Sequence, residues 1–390
     1  MTVQYSLAAA TATGLTFMRL LRAWRGSVWK LVAVELLVWE AGCILLTLVY
    51  YNFIKGGAYD KDYCSVIVHT EKLHYTSSVL LILGFFTKTC IDRWTSIYQV
   101  LMLWPENIAM MFSTFFKDDA LPPATSKAIR HSIYRWLLLA HILVLRDMSI
   151  AVKKQFPTYQ HLVKAQLLTE PELYLFEHAN IEPDYCRYWI PLTWISETIK
   201  KYYVPLHLRG RGRKTCMDHA HFGLFMEEMV RIRQNLGDLL CYDWIPIPLA
   251  TTQTITFSVY VCIILDGVVQ HSSLCDESKE WDVVSLIINF VFHLLLNTFR
   301  LGWLKCGQVI LNPFGLDDDD YEANSLIDMY QRNLAGIITR PDEIPPVRPL
   351  PHHTLPHTVA SALLTGISDT KLTGSMATKV YPKSHQEILR

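Results

Sequence analysis

The residues best suited to chemistry stand together near the end of the chain, where Asn312 to Glu322 read NPFGLDDDDYE. Four consecutive carboxylates, Asp317 to Asp320, repel one another unless a cation or hydrogen-bond donors compensate. Asp317 and Asp320 are three apart, so on a helical turn they share a face. Two carboxylates with nearby backbone carbonyls suit a hard cation such as calcium. The run is not an EF-hand loop, which alternates its acids and carries a Glu at the twelfth position. The competing role is structural, because the helix dipole favours acids at a helix N-terminus. Elsewhere no GxSxG, HExxH or Walker A segment occurs, and His219 and His221, two apart, are badly spaced for one helix face. No enzyme is expected.

The elements that must hold this acidic run are membrane spans. The chain has 390 residues, with 36 Lys+Arg against 36 Asp+Glu and 51% hydrophobic residues. Only 18% are charged, against roughly 25% in an ordinary soluble protein, and mean hydropathy is +0.19. A disordered tail protein and a basic nucleic-acid binder are excluded. Lys30 to Lys55 encloses an apolar run broken only by Glu35 and Glu40. Another run, uncharged, lies between Asp243 and Asp266, the third span in chain order, and the fourth lies between Asp282 and Arg300, continuing to Trp303. Each can cross a bilayer core of ~30 Å, which takes about 20 helical residues. The remaining span, second in chain order, begins near Leu73 and runs through VLLILGFFTKTC past Lys88, Asp92 and Arg93. Such a helix either outreaches the membrane or keeps its charges in a wet interior. The apolar stretch between Arg135 and Arg146 is too short to span and reads as a buried helix.

Arg19, Arg22, Arg25 and Lys30 precede the first span, whereas the loop before the last span carries Asp276, Glu277 and Glu280. The positive-inside rule then places both termini and the middle region in the cytosol. Because Arg19 follows the first small apolar run, no cleaved secretory signal is expected. Nine Cys lack CxxC spacing. Cys43, Cys90 and Cys262 fall in or beside spans as core residues, while Cys64 and Cys275 fall in outside loops. Those two either pair in an oxidising space or stay free thiols.

The middle region is helical in pattern. One helix runs through 131–156 until Phe156-Pro157, another starts at TEPEL, and a long one from His221 enters the third span. The basic 200–214 segment either meets anionic lipid or lines an anion path, or, the commoner case for such a run, is a solvated loop. Beyond Arg340 the chain is Pro-rich and then Ser/Thr-rich, which predicts disorder; its PVRP is a weak PxxP match.

Read together, these segments carry a resemblance. MTVQY at the start, AWRGSVWKL at 23–31, LGFF at 83–86, DRWT from Asp92, FPTYQHLV at 156–163, YDWIPIPL at 242–249 and NPFGLDDDD resemble, in order and spacing, the bestrophins, pentameric calcium-activated chloride channels. The likeness runs to about Leu334. It implies a mainly α, polytopic fold, with four spans and a helical cytosolic domain per subunit, in a homopentamer around one axial pore. The implied organisation is a cytosolic segment 1–30, two spans in 31–104, a helical cytosolic domain 105–240, two spans in 241–306, an acidic clasp with its following helix in 307–335, and a disordered tail 336–390. The family's calcium clasp maps onto the carboxylates of Asp317 and Asp320 and the carbonyls of Ala10, Val309 and Asn312. Well-known members carry Gln at the Val309 position, and here Gln308 is one place off; a carbonyl ligand tolerates the change.

The family's neck is three apolar residues spaced four apart on the second span. It maps onto Ser77, Leu81 and Phe85, a spacing that shares one helix face. Ser77 makes one ring wetter than in the family. The cytosolic aperture maps onto Ala220, where Ala widens the ring and His219 and His221 flank it. The resemblance implies passive conduction of chloride and other small monovalent anions through the cell membrane, with membrane lipid, no nucleic acid, as the other partner. The rival expectation is a non-conducting scaffold acting through its tail, which truncation near Arg340 in a bare bilayer would separate.

Overall fold

In the computed structural model all regular secondary structure among the described residues is helical; those residues are 5, 9–10, 13–73, 76–102, 104–179, 186–203, 214–269, 275 and 283–338. These fall within the unit Met1–Arg340; the disorder expected over 336–390 begins too early, since residues 336–338 close the last helix, and the rest of that stretch lies outside the described residues. In chain order the first helices are α1 (Gly14–Leu21), α2 (Val28–Val49), α3 (Asp60–Leu73), α4 (Thr76–Leu101), α5 (Glu106–Phe115), α6 (Pro123–Met148) and α7 (Ile150–Gln155). They are followed by α8 (Tyr159–Lys164), α9 (Glu170–Glu177), α10 (Trp189–Tyr202), α11 (His219–Trp244), α12 (Leu249–Val269), α13 (Val283–Val309) and α14 (Ala323–Ile338).

Four of these make a membrane bundle. Val32 and Leu36 of α2, Leu83, Phe86 and Cys90 of α4, Ile255, Val259 and Ile263 of α12, and Leu301 and Leu304 of α13 share one buried core. The opposite sides keep large apolar residues exposed, among them Val34, Leu37, Phe257 and Phe292. A helix apolar on its outside belongs in lipid or against another subunit, not in water. Composition alone would pick α6 as a span and pass over the charged α4. Burial reverses this: 67% of the most apolar stretch of α6 lies inside the protein, against 22%, 28% and 33% for the helices beginning at Val28, Leu249 and Ile287. Residues Leu137 to Arg146 of α6 are buried on every side, the mark of a domain's central helix.

Around α6 the second core gathers α5 and α7 to α11, with α14 and the lower end of α4 (Ile97 and Leu101). α4 therefore runs through both cores as one rod. Sequence periodicity misplaced three boundaries. The 131–156 helix breaks at Ser149, whose extended backbone (φ −99°, ψ 124°) separates α6 from α7. The long helix from His219 does not run into the third span, because Pro246 and Pro248 lack the N–H groups a continuous helix needs. The stretch around Cys64, read as an outside loop, is mostly α3. Asp60 opens that helix and accepts from the Gly56 N–H (2.8 Å) and the Tyr50 hydroxyl (3.0 Å). On α3, Cys64 is disulfide-bonded to Cys275, with Cα atoms 5.5 Å apart.

His141 lies in the centre of α6, 2% exposed and edge-on to the Tyr330 ring at 4.8 Å. Burial pushes its pKa down from 6.5 to about 4. The unfolded chain binds a proton near pH 6.5 that the folded chain refuses until about pH 4, so acid favours unfolding across that window. The expected loss approaches roughly 3 kcal/mol at the acid end. A His141→Phe variant should flatten the fall in melting temperature between pH 6.5 and 4 relative to the parent.

Candidate functional site

Two features meet on α4. The first is a stripe on its exposed side. Leu83, Phe86, Thr87 and Cys90 face inward, while Leu81 and Phe85, one turn apart, are 64% and 66% exposed on the opposite side. Ser77 is on the same helix, but its side chain lies outside the described residues. Leu81 and Phe85 thus present an apolar surface left exposed among the described residues.

The second feature is the acidic run, which forms a turn of its own after α13 ends at Val309. It neither extends a helix nor caps α14, which starts at Ala323. The Asp317 N–H donates to Asp320 Oδ2 at 2.6 Å, and the Asp320 N–H donates to the Asp317 carbonyl at 3.3 Å. Gly315 lets this turn close. A Cβ there would lie 2.6 Å from Asp320 Oδ2 and 3.4 Å from the Asn312 carbonyl oxygen. The Asp320 carboxylate and the Asn312 carbonyl thus both lie beside Gly315, whose N–H donates to the Asn312 carbonyl at 3.3 Å. Asp320 is 5% exposed, and burial together with neighbouring acids holds the Asp319 and Asp320 carboxyls above the usual range. Asp318 behaves oppositely: hydrogen bonds from Lys30 Nζ (2.6 Å) and the Gly26 N–H (3.0 Å) keep it ionised. These all-oxygen donors, crowded and short of positive charge, fit a hard cation.

Of the other carbonyls assigned to the clasp, Val309 ends α13 one turn upstream and Ala10 is exposed in the N-terminal segment. That segment reaches the turn: Tyr5, Arg25, Gly26 and Asp319 line one cavity of about 220 Å³. Gln308, one place before Val309, is committed elsewhere, its amide donating to Thr256 Oγ1 at 3.1 Å. No group of three or more acidic, His or Cys side chains poised for a metal occurs among the described residues. A site here would therefore lean on backbone carbonyls.

Arg93 ties the acidic turn to α4. Its guanidinium donates to the carbonyl of Leu311 (3.1 Å), just before the turn, and to that of Tyr242 near the end of α11. On the far side of the turn, the Tyr321 hydroxyl donates to the Trp94 carbonyl, and its ring packs 5.4 and 5.2 Å from Trp94 and Tyr98. Both flanks of the turn are thus fastened to the helix that carries Phe85.

Periodicity noticed Glu35 and Glu40 only as interruptions of a span. In the structure each has a partner. Glu40 on α2 meets His293 (3.2 Å) and Asn297 (3.3 Å) of α13, and Glu35 meets Tyr260 of α12 (2.9 Å) and Lys305 of α13. Arg300, 1% exposed, pairs with Asp266 of α12. The signal was available as acids and bases lying at membrane depth in different spans, which must find one another. Ala220 opens α11 and is exposed. Its flanking histidines are engaged, His219 with the Tyr203 hydroxyl (2.6 Å) and His221 stacked on Phe115 at 4.2 Å.

A family model described as "Bestrophin, RFP-TM, chloride channel" matches residues 1–339. Human Bestrophin-3 is 32% identical over 349 residues, covering 88% of this chain and 49% of its own length. Bestrophin homolog 24 of Caenorhabditis elegans is 29% identical over 349 residues, covering 88% of this chain and 51% of its own. Mouse Bestrophin-2 is 31% identical over 334 residues, covering 84% and 61%. The chain thus spans about half the length of the first two relatives. Among solved structures, a point variant of a bacterial bestrophin homologue from Klebsiella pneumoniae superposes with a TM-score of 0.57 at 17% identity, covering 81% of this chain and all of that one. At that identity the likeness speaks for the fold.

Proposed function

This chain belongs to the bestrophin family, and from that premise we propose that it is a calcium-activated channel for chloride and other small monovalent anions, a homopentamer conducting through one axial pore. The observation that carries the reading is the exposed Leu81–Phe85 stripe, set opposite the buried face of α4. Five copies of α4 turned toward a common axis would bring five Phe85 rings together as an apolar constriction, which closes by shedding water. Ser77 would add a wetter ring above it, and Ala220 a wide ring at the cytosolic exit. The basic residues before α2 support cytosolic termini and a multi-pass orientation in the cell membrane.

The carboxylates of Asp317 and Asp320, with the carbonyls of Asn312, Val309 and Ala10, would hold calcium, which supplies the positive charge that lets crowded carboxylates ionise together. The chain's own residues do the rest. Gly315 lets Asp320 close on Asn312, and Lys30 keeps Asp318 turned away from that point. Arg93 and Tyr321 join the turn to α4, so a change in the turn's geometry reaches the helix that carries the neck. An open neck is favoured to the extent that the ordered turn fits it better than the closed one.

Phe85→Ala tests the neck. In liposomes holding purified protein, the variant is expected to carry chloride current without calcium, where the parent is shut. A variant as tightly calcium-dependent as the parent would show that Phe85 does not line the gate.

A further inference from the structure

The exposed stripe of α4 does not end at Phe85. Lys88 follows about one turn later and Asp92 about two turns later, on the side turned away from the buried core. The two side chains are 69% and 62% exposed and joined at 2.6 Å between Lys88 Nζ and Asp92 Oδ2. Their neighbour Arg93 points the other way, into the Leu311 and Tyr242 carbonyls. An ionic pair on the uncovered side of a spanning helix cannot face lipid, where each charge costs about 2.5–3.5 kcal/mol. It must face water or a neighbouring subunit.

Nor does the pair read as a helix-stabilising device. Lys precedes Asp at i, i+4, the weaker of the two orders, and an exposed pair of this kind contributes little. The hydroxyls beside it are spent on the backbone: Thr89 donates to the Phe85 carbonyl (2.9 Å) and Ser96 to that of Asp92 (2.8 Å). On this stretch of the stripe the strong outward donor is the Lys88 ammonium. It gives one of its three N–H groups to Asp92 and keeps two for a passing ligand.

We propose that Lys88 is the anion-coordinating residue of the pore, one turn beyond the Phe85 constriction, and that Asp92 is a positioning residue. Asp92 holds the ammonium on the stripe and offsets enough of its charge for an anion to leave again. This rests on the pore reading given above. A conducting site must bind well enough to admit an ion and weakly enough to release it, and a tethered, half-neutralised ammonium meets both needs.

The test is the reversal potential of purified full-length protein in planar bilayers under a sodium chloride gradient. Lys88→Gln is expected to lower the chloride-to-sodium permeability ratio by about fivefold or more, the effect of one unit charge at ~4 Å in water. Lys88→Arg is expected to retain the parent ratio, and Asp92→Asn, which releases the ammonium, to raise it. An unchanged ratio in Lys88→Gln overturns the assignment. If that variant does not assemble, an unchanged or lowered ratio in Asp92→Asn overturns it instead. Phe85→Ala separates the two readings. If Phe85→Ala abolishes calcium gating while both charge variants keep the parent ratio, only the Lys88 site falls. If Phe85→Ala also behaves as the parent, the pore reading falls with it.

Discussion

Asp320→Ala is expected to raise the calcium concentration for half-maximal current by at least about 100-fold. Losing a second-layer partner of a metal ligand already costs 10–100-fold in affinity, and Asp320 would be a direct ligand. The residue also shapes its site. Its Oδ2 receives the Asp317 N–H at 2.6 Å, so the substitution removes a carboxylate and frees the backbone of the other. Asp318→Asn makes the comparison. Asp318 points at Lys30 and Gly26 and should shift the calcium response much less. Both variants should assemble as the parent does, because the aromatic packing of Phe314 and Tyr321 that pins the turn is untouched (rings 5.5 Å apart). Equal calcium sensitivity in Asp320→Ala and the parent would remove the acidic turn from the mechanism.

The largest effect on folding is expected from Arg300→Met. Arg300 is 1% exposed in the bundle, and its partner Asp266 on α12 is 9% exposed. Removing the guanidinium leaves a buried carboxylate without its charge partner, a loss of about 3–5 kcal/mol. That is a large share of the 5–15 kcal/mol by which a domain is usually stable. The variant should lose most of its monodisperse oligomer peak and melt well below the parent in detergent. Asp266→Leu combined with Arg300→Met should recover most of that loss, since replacing both ions by apolar groups removes the desolvation cost along with the pair. If the double variant is as unstable as the single one, the damage comes from packing around Arg300 and not from the stranded charge.

Much of this was legible in the chain. Span lengths in the sequence anticipated the helices that share one buried core. The apolar run of α6 was read as a buried helix because few uncharged residues lie between Arg135 and Arg146, and 67% of its most apolar stretch does lie inside the protein. The TEPEL start was legible too, as the Thr169 N–H does donate to Glu172 Oε2 at 2.8 Å. What escaped was set by tertiary partners. Periodicity cannot say that Ser149 will break a helix, or that Asp317 and Asp320 will close a turn over Gly315. It cannot show that Arg93, one of three charges interrupting a span, turns inward to two carbonyls while Lys88 and Asp92 turn outward. Which way each charge on α4 points is decided by α11 and α13 packed beside it, and no local pattern records that.

The most direct measurement is current through a planar bilayer containing only the purified protein, under a chloride gradient, before and after micromolar calcium is added on the side of the acidic turn. A calcium-dependent current that reverses near the chloride equilibrium potential is the expected result. A bilayer that stays silent with fully assembled protein, or a current that reverses near the cation potential, would contradict it.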